Sequence, residues 1–136
     1  MAGYSSTPLV KKLGMKPGFK ILLKNPPDNY AELTGAFPAD VRFHEPPAAD
    51  LDMVHLFTKS REELARELTS MKAMIKPAGM IWVSWPKKAS KVPTDVTEDE
   101  IRSVCLPMGL VDVKVCAVDE IWSGLKLMIR KSERAT

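Results

Sequence analysis

The sequence has few of the residues that build metal sites and disulfide frameworks. Among its 136 residues are two cysteines, Cys105 and Cys116, and two histidines. No CxxC pair or closely spaced His pair accompanies the cysteines, so no metal site is expected. Because free cysteines in a reducing cytosol are usually buried, both are predicted to be thiols that fill the core. A disulfide between them is the alternative.

Long apolar runs and a strong charge of one sign are also missing. The first residues, MAGYSSTPLVKK, lack the apolar segment of a signal peptide, and no stretch reaches the roughly 18 apolar residues of a membrane span. Twenty Lys and Arg against 17 Asp and Glu give a net charge of +3. This bias is too weak to predict a nucleic-acid or membrane partner. We therefore expect a cytoplasmic protein that binds neither.

Size and composition favour one globular domain. The chain is 45% hydrophobic and 27% charged, which is the balance of a soluble folded protein. Its length suits a single domain over residues 1–136. Within it we expect an N-terminal helical arm at 1–17, an α/β core at 18–131 and a mobile tail at 132–136.

Strand and helix signals alternate along the chain. Ser60 and Glu63 form a capping box before the longest amphipathic helix, and Thr97 caps a second helix with an acidic first turn. The last two strands are predicted to form an antiparallel hairpin. The predicted strands are 19–23, 41–45, 51–58, 79–85, 110–119 and 124–131, and the predicted helices are 7–13, 29–36, Ser60 to the break at Pro77, and Thr97 to the break at Pro107.

This alternation predicts an α/β fold: a single three-layer, Rossmann-like domain with helices on both faces of a mostly parallel sheet. The hairpin is expected to add one antiparallel strand at the edge. One connection is unusually short, because only PPAAD separates the strand at 41–45 from that at 51–58, whereas a parallel crossover takes about a dozen residues. Either the chain crosses the sheet in a tight extended segment, which we favour, or residues 41–45 form a frayed edge piece.

Several strings resemble known families. The strings LDMVHLF, MIKPAGMIWVSWPK and VDVKVCAVDEIWSGLKLMIRK, in this order, resemble the second half of class I S-adenosylmethionine-dependent methyltransferases. The strings GYSSTPLVKKLGMKPG, VSWPKKASKVPTD and VDVKVCAVDEIWSGLK resemble, over nearly the whole chain, a small bacterial family known only as a domain of unknown function. The resemblance implies a reduced methyltransferase-like topology and assigns no activity.

The chain departs from the methyltransferase pattern where that family binds its cofactor. The family carries an acidic residue and a run of glycines after its first strand, so that backbone N–H groups can approach the cofactor. This chain has KNPPDNY there and no GxG anywhere. Pro26 and Pro27 have no N–H to donate. The family's segment between its second and fourth strands is also reduced to PPAAD. We therefore expect no S-adenosylmethionine cofactor.

Ligands of parallel α/β sheets bind outside the carboxyl ends of the strands. In SWPKKAS, Trp85 offers an apolar plate beside two lysines, which would suit an anionic or aromatic small molecule. The alternative is that Trp85 covers the end of the sheet and the lysines are only solvated. The candidate ligand-binding residues at this edge are Asn25 after the first strand, Lys59 after the third, Ser84, Trp85, Lys87 and Lys88 after the fourth, and Asp119, Glu120 and Trp122 in the hairpin turn.

Catalytic signals are sparse. His55 lies among apolar residues in a strand and is interpreted as a hydrogen-bonded core imidazole, with a catalytic base as the alternative. No serine lies in a GxSxG nucleophile elbow. The sequence therefore favours a non-catalytic module that binds a small anionic ligand or a protein partner. The alternative is an enzyme of unassigned reaction that uses Lys87 or Lys88 with Asp119 or Glu120.

Overall fold

A computed structural model describes residues 8–134. Helices and strands alternate along this part of the chain, as the sequence predicts. The first seven residues of the predicted N-terminal arm and the last two residues of the predicted tail lie outside it. The elements are α1 (Leu9–Leu13), β1 (Lys20–Lys24), α2 (Tyr30–Thr34), β2 (Arg42–Phe43), β3 (Leu51–Phe57), α3 (Arg61–Lys72), β4 (Ile75–Pro86), α4 (Glu98–Cys105), β5 (Leu110–Ala117) and β6 (Trp122–Ile129).

The six strands form one sheet in the order β2-β1-β3-β4-β6-β5. Strands β1 to β4 are mutually parallel, and β6 is antiparallel to both of its neighbours. The α/β class and the terminal hairpin are confirmed. The reversed strand is β6, which lies inside the sheet, so its predicted place at the edge is wrong. Burial explains this order, because Leu125 and Leu127 of β6 are buried whereas Val113 and Val115 of β5 are exposed.

The short connection is possible because β2 is only two residues long. Arg42 and Phe43 pair with Lys20 and Ile21 at the start of β1, and Ile21 also pairs with Met53 of β3. Phe43 at the end of β2 and Met53 near the start of β3 therefore lie at the same height in the sheet. Residues 44–50 can join the two strands without first running back along the length of a strand. The strand is a short edge piece, and residues 44–50 connect it to β3 through a segment with bends that contains neither helix nor strand.

The helix caps form as predicted. Ser60 Oγ accepts a hydrogen bond from the backbone N–H of Glu63 at 3.1 Å, and Thr97 Oγ1 accepts one from Glu100 at 3.1 Å. Helix α3 ends at Lys72, before the predicted break at Pro77. The chain then joins the sheet at Ile75, which pairs with Leu51, so β4 begins earlier than predicted.

Helices cover both faces of the sheet, which gives the three layers. On one face, α3 and α4 bury Leu64, Leu68 and Ile101 against the even-numbered residues of β3. On the other face, α1 packs on Trp82, whose Nε1 donates to the carbonyl oxygen of Leu13 at 2.8 Å. No helix within residues 8–134 is both long and apolar enough to cross a membrane.

Candidate functional site

A cleft of about 590 Å³ opens at the carboxyl ends of β1 and β3. The first turns of α3 form one wall, and the first residue of β6 forms another. This is the edge at which parallel α/β sheets bind ligands. The lining residues are Asn25, Phe57, Thr58, Lys59, Ser60, Glu62, Glu63, Arg66 and Trp122.

The carboxylate of Glu63 holds three parts of this cleft together. It accepts a hydrogen bond from Thr58 Oγ1 at 2.6 Å and one from Asn25 Nδ2 at 3.4 Å. Asn25 Nδ2 also donates to the carbonyl oxygen of Phe57 at 3.2 Å. These bonds fix the ends of β1 and β3 against α3. Both carboxylate oxygens of Glu63 are therefore engaged in the wall of the cleft.

The remaining charged groups of the cleft are not paired. Lys59, Glu62 and Arg66 line it, and the ion pairs within residues 8–134 include none of the three. Two cations therefore line the cleft together with two carboxylates, Glu62, which is unpaired, and Glu63, whose hydrogen-bond partners are both neutral. An arginine guanidinium can bind a carboxylate or phosphate through two parallel hydrogen bonds. Lys59 and Arg66 thus offer two unpaired cations to an anionic group, although the four charged side chains of the cleft balance.

The apolar part of the cleft is supplied by two aromatic rings. Trp122 is half-buried, and its ring meets Phe57 edge to face, with ring centroids 5.1 Å apart and planes at 88°. An indole held in this way presents a flat apolar surface to a planar ligand. Trp122, and not the predicted Trp85, is the tryptophan that lines the cleft.

Trp85 does not share this role. It is only 7% exposed and packs with Val96 and Ile101 in the core beneath α3 and α4, so its prediction as an exposed plate is wrong. Trp122 pairs with Pro86, the residue after Trp85, and neighbouring strand positions point to opposite faces. The two tryptophans therefore lie on opposite faces of the sheet.

Ser84 is also placed differently from the prediction, because it is fully buried. Its Oγ lies 2.8 Å from Nε2 of His55, and Nδ1 of His55 lies 2.9 Å from Oη of Tyr30. Burial lowers the pKa of His55 to about 3, so the ring is neutral. A neutral imidazole donates from one nitrogen and accepts at the other, so both bonds can form. His55 is thus confirmed as a hydrogen-bonded core residue.

Four predicted residues lie outside the cleft. Lys87 and Lys88 follow β4, and no ion pair within residues 8–134 joins either of them to Asp119 or Glu120. Asp119 instead accepts, through Oδ1, the N–H groups of Ile121 at 2.8 Å and Trp122 at 2.7 Å. Asp119 therefore forms the turn that precedes β6. The alternative enzyme site that combines Lys87 or Lys88 with Asp119 or Glu120 is therefore not supported by any ion pair within residues 8–134.

Asn25, Lys59 and Trp122 are the predicted site residues that the structure brings together in the cleft, and ligand binding by them stays a prediction. Sequence reasoning missed Glu62, Glu63 and Arg66 as cleft residues. It interpreted Glu63 only as part of a helix cap. The available signal was that α3 begins directly after β3, which places its first two turns at the ligand-binding edge.

The cysteines lie away from the cleft. Cys105 is the last residue of α4 and is buried in the core, and burial is the main reason that its pKa rises to about 11. Cys116 is half-buried, and both are free thiols. Within residues 8–134, no three His, Cys, Asp or Glu side chains are grouped as in a metal site.

Comparison with solved structures identifies the fold. The chain is similar to an S-adenosylmethionine-dependent methyltransferase from Aquifex aeolicus, with 17% identity, a TM-score of 0.62, and coverage of 88% of this chain and 87% of that one. A putative type 11 methyltransferase from Sulfolobus solfataricus matches with 11% identity, a TM-score of 0.58, and coverage of 86% and 88%. A TehB-like methyltransferase from Corynebacterium glutamicum matches with 9% identity, a TM-score of 0.58, and coverage of 95% and 91%.

These matches confirm the predicted methyltransferase-like, Rossmann-like fold. At such identities they show the fold alone, because one fold supports many functions. No protein-family model matches the chain, and no curated protein matches its sequence.

The cofactor that this fold class implies does not fit the residues at the end of β1. The loop between β1 and α2 holds Pro26 and Pro27, which have no N–H to offer a ligand. Asn25 in the same loop uses its amide on Phe57 and Glu63. The glycines that would let the backbone approach a cofactor are missing from this loop.

Proposed function

We propose that this chain is a non-catalytic binding module whose cleft holds a small anionic ligand with a planar part. The observation that carries the proposal is the arrangement of two unpaired cations, Lys59 and Arg66, beside the indole of Trp122. The indole supplies contact area, and the cations supply charge complementarity for a carboxylate or phosphate.

Two features support binding without catalysis. The buried imidazole of His55 is neutral and bonded at both nitrogens. The carboxylate of Glu63 is engaged by Thr58 and Asn25. This histidine and this glutamate are therefore committed to the structure of the core and the cleft wall, and neither is free to transfer a proton to a ligand.

The shape of the cleft also supports a small ligand. Its volume of about 590 Å³ lies within the range of about 300–1,000 Å³ found for small-molecule sites. It combines aromatic surface with a few polar groups from separate elements, as such sites do. Glu63 holds these elements together before any ligand arrives, which lowers the ordering cost of binding.

The test uses a matched pair of probes, indole-3-acetate and its neutral amide, indole-3-acetamide. Both carry the same planar ring, so any difference in binding reports the charge of the acid. In an NMR titration we expect indole-3-acetate to cause saturable shifts of the Thr58 and Lys59 amides and of the Trp122 indole N–H. Indole-3-acetamide should bind more weakly.

Arg66→Gln and its control Lys88→Gln sharpen the test. Arg66→Gln should weaken indole-3-acetate binding about fivefold, since an exposed charge pair contributes up to about 1 kcal/mol. Lys88→Gln removes an equal charge from the neighbouring loop, outside the cleft, and should change nothing. Equal binding of acid and amide, or equal effects of the two variants, would contradict the proposal.

A further inference from the structure

Basic charge without acidic charge is concentrated around α1. Helices α3 and α4, on one face of the sheet, carry six acidic and four basic residues. The first acidic residue of the chain is Asp28, whereas Lys11, Lys12 and Lys16 precede it in and after α1, on the other face. The small net charge of the chain therefore conceals a basic surface.

Four lysines from separate segments meet on this surface. Lys12 belongs to α1 and Lys16 to the turn that follows it, while Lys114 on β5 pairs directly across the strands with Lys126 on β6. Lys114 Nζ donates to the carbonyl oxygen of Lys12 at 3.4 Å. We call these four residues the lysine patch.

The members of the lysine patch are close enough to affect one another. Burial is the main reason that the pKa of Lys126 lies below its usual value, and the charges of Lys114 and Lys16 lower it further. Lys12 and Lys114 likewise lower the pKa of Cys116, which burial raises. Like charges directly opposite each other on paired strands destabilise a sheet.

Within residues 8–134, no carboxylate forms an ion pair with the lysine patch. The side chain of Lys114 has one local partner, the carbonyl oxygen at the end of α1. That contact leaves the ammonium groups of Lys12, Lys16 and Lys126 without an anionic partner.

We propose that the lysine patch binds a soluble anion that carries several phosphate groups. A lysine ammonium is a compact charge with three donors, and it commonly binds phosphate in proteins. A single negative charge would offset only part of the repulsion among four cations, whereas a polyphosphate group offsets most of it. The closeness of the four lysines fits one compact anion better than the extended backbone of a nucleic acid.

This proposal is independent of the cleft, because the patch shares no residue with it. The probe is inorganic tripolyphosphate, titrated by calorimetry and NMR at constant ionic strength. We expect saturable binding, shifts of the Lys12, Lys16, Lys114 and Lys126 signals, and a rise in the pKa of Lys126. Inorganic phosphate should bind more weakly, since it carries less charge.

Two double variants distinguish the effect of losing patch lysines from the effect of losing the same net charge elsewhere. Lys114→Gln/Lys126→Gln removes two patch charges and should weaken tripolyphosphate binding about tenfold or more. It relieves repulsion, so its melting temperature should not fall. Lys87→Gln/Lys88→Gln removes the same charge elsewhere and should leave the affinity unchanged.

Three results would overturn the proposal. They are tripolyphosphate binding that does not saturate, equal losses in the two double variants, and binding of the wild type to phosphatidylglycerol vesicles without binding to tripolyphosphate. The last result would assign the surface to a membrane instead.

Discussion

The buried imidazole of His55 shows how burial determines the chemistry available beside the cleft. His55 stacks on Phe57, with ring centroids 4.3 Å apart, and bonds to Tyr30 and Ser84. A charged imidazole at this position would lose its hydration without gaining a carboxylate. The residue is therefore neutral and contributes to folding by joining α2, β3 and β4.

The pH dependence of stability tests this description of His55. Its pKa is about 3 in the folded state and about 6.5 in the unfolded state, so between these values the unfolded chain binds more protons. The stabilising contribution is complete above about pH 6.5 and is lost as the pH falls. At pH 5 the loss should be about 2 kcal/mol. Urea unfolding at pH 7 and pH 5 measures it.

His55→Gln supplies the comparison for this experiment. The variant has no imidazole to protonate, so its unfolding free energy should fall less than that of the wild type between pH 7 and pH 5. An identical fall in the two proteins would mean that His55 is not a buried neutral residue.

The site residues show what a sequence can predict at this scale. Asn25, Lys59 and Trp122 were placed correctly at the edge because they follow or begin strands whose ends the sequence marks. The prediction for Trp85 is wrong because the face of the sheet on which its indole lies depends on how β4 pairs with β6. Local sequence does not reveal this pairing. A shift of one residue along a strand moves a side chain to the opposite face.

At the scale of the elements, local sequence predicts where α3 begins, whereas the bounds and the order of the strands depend on long-range pairing. The start of α3 followed from its capping box and its amphipathic pattern. The bounds of β2 and the start of β4 depend on hydrogen bonds to β1 and β3, so local sequence predicted them poorly. The position of β6 inside the sheet likewise depends on which strand buries more apolar surface against the helices.

The packing of α3 on β3 predicts the cost of core substitutions. Leu68 of α3 and Leu56 of β3 are both fully buried in the same cluster. Leu68→Ala or Leu56→Ala should each lower the free energy of unfolding by about 2–5 kcal/mol, because each leaves a cavity. Chemical denaturation measures the change.

Ser70→Ala is the matched control for Leu68→Ala, because Ser70 lies on the exposed side of the same helix. Its effect should be within about 0.5 kcal/mol. A nearly neutral Leu68→Ala would show that α3 buries a different face.

At the scale of the whole molecule, a methyltransferase-like sheet is combined with a different ligand edge. The fold places an open cleft at the ends of β1 and β3, as the class predicts. The loop after β1 contains Pro26 and Pro27 in place of glycines, and the connection from β2 to β3 contains no helix. The fold is therefore retained, while the loop after β1 lacks the glycines that would let a cofactor approach its backbone.

Calorimetric titration with S-adenosylmethionine tests this conclusion most directly. The loop after β1 contains no glycine, and its two prolines have no N–H to donate to the ligand. We therefore predict a dissociation constant in the millimolar range or weaker. Micromolar binding of S-adenosylmethionine would contradict the account, since it would require a cofactor site that the residues at the end of β1 do not provide.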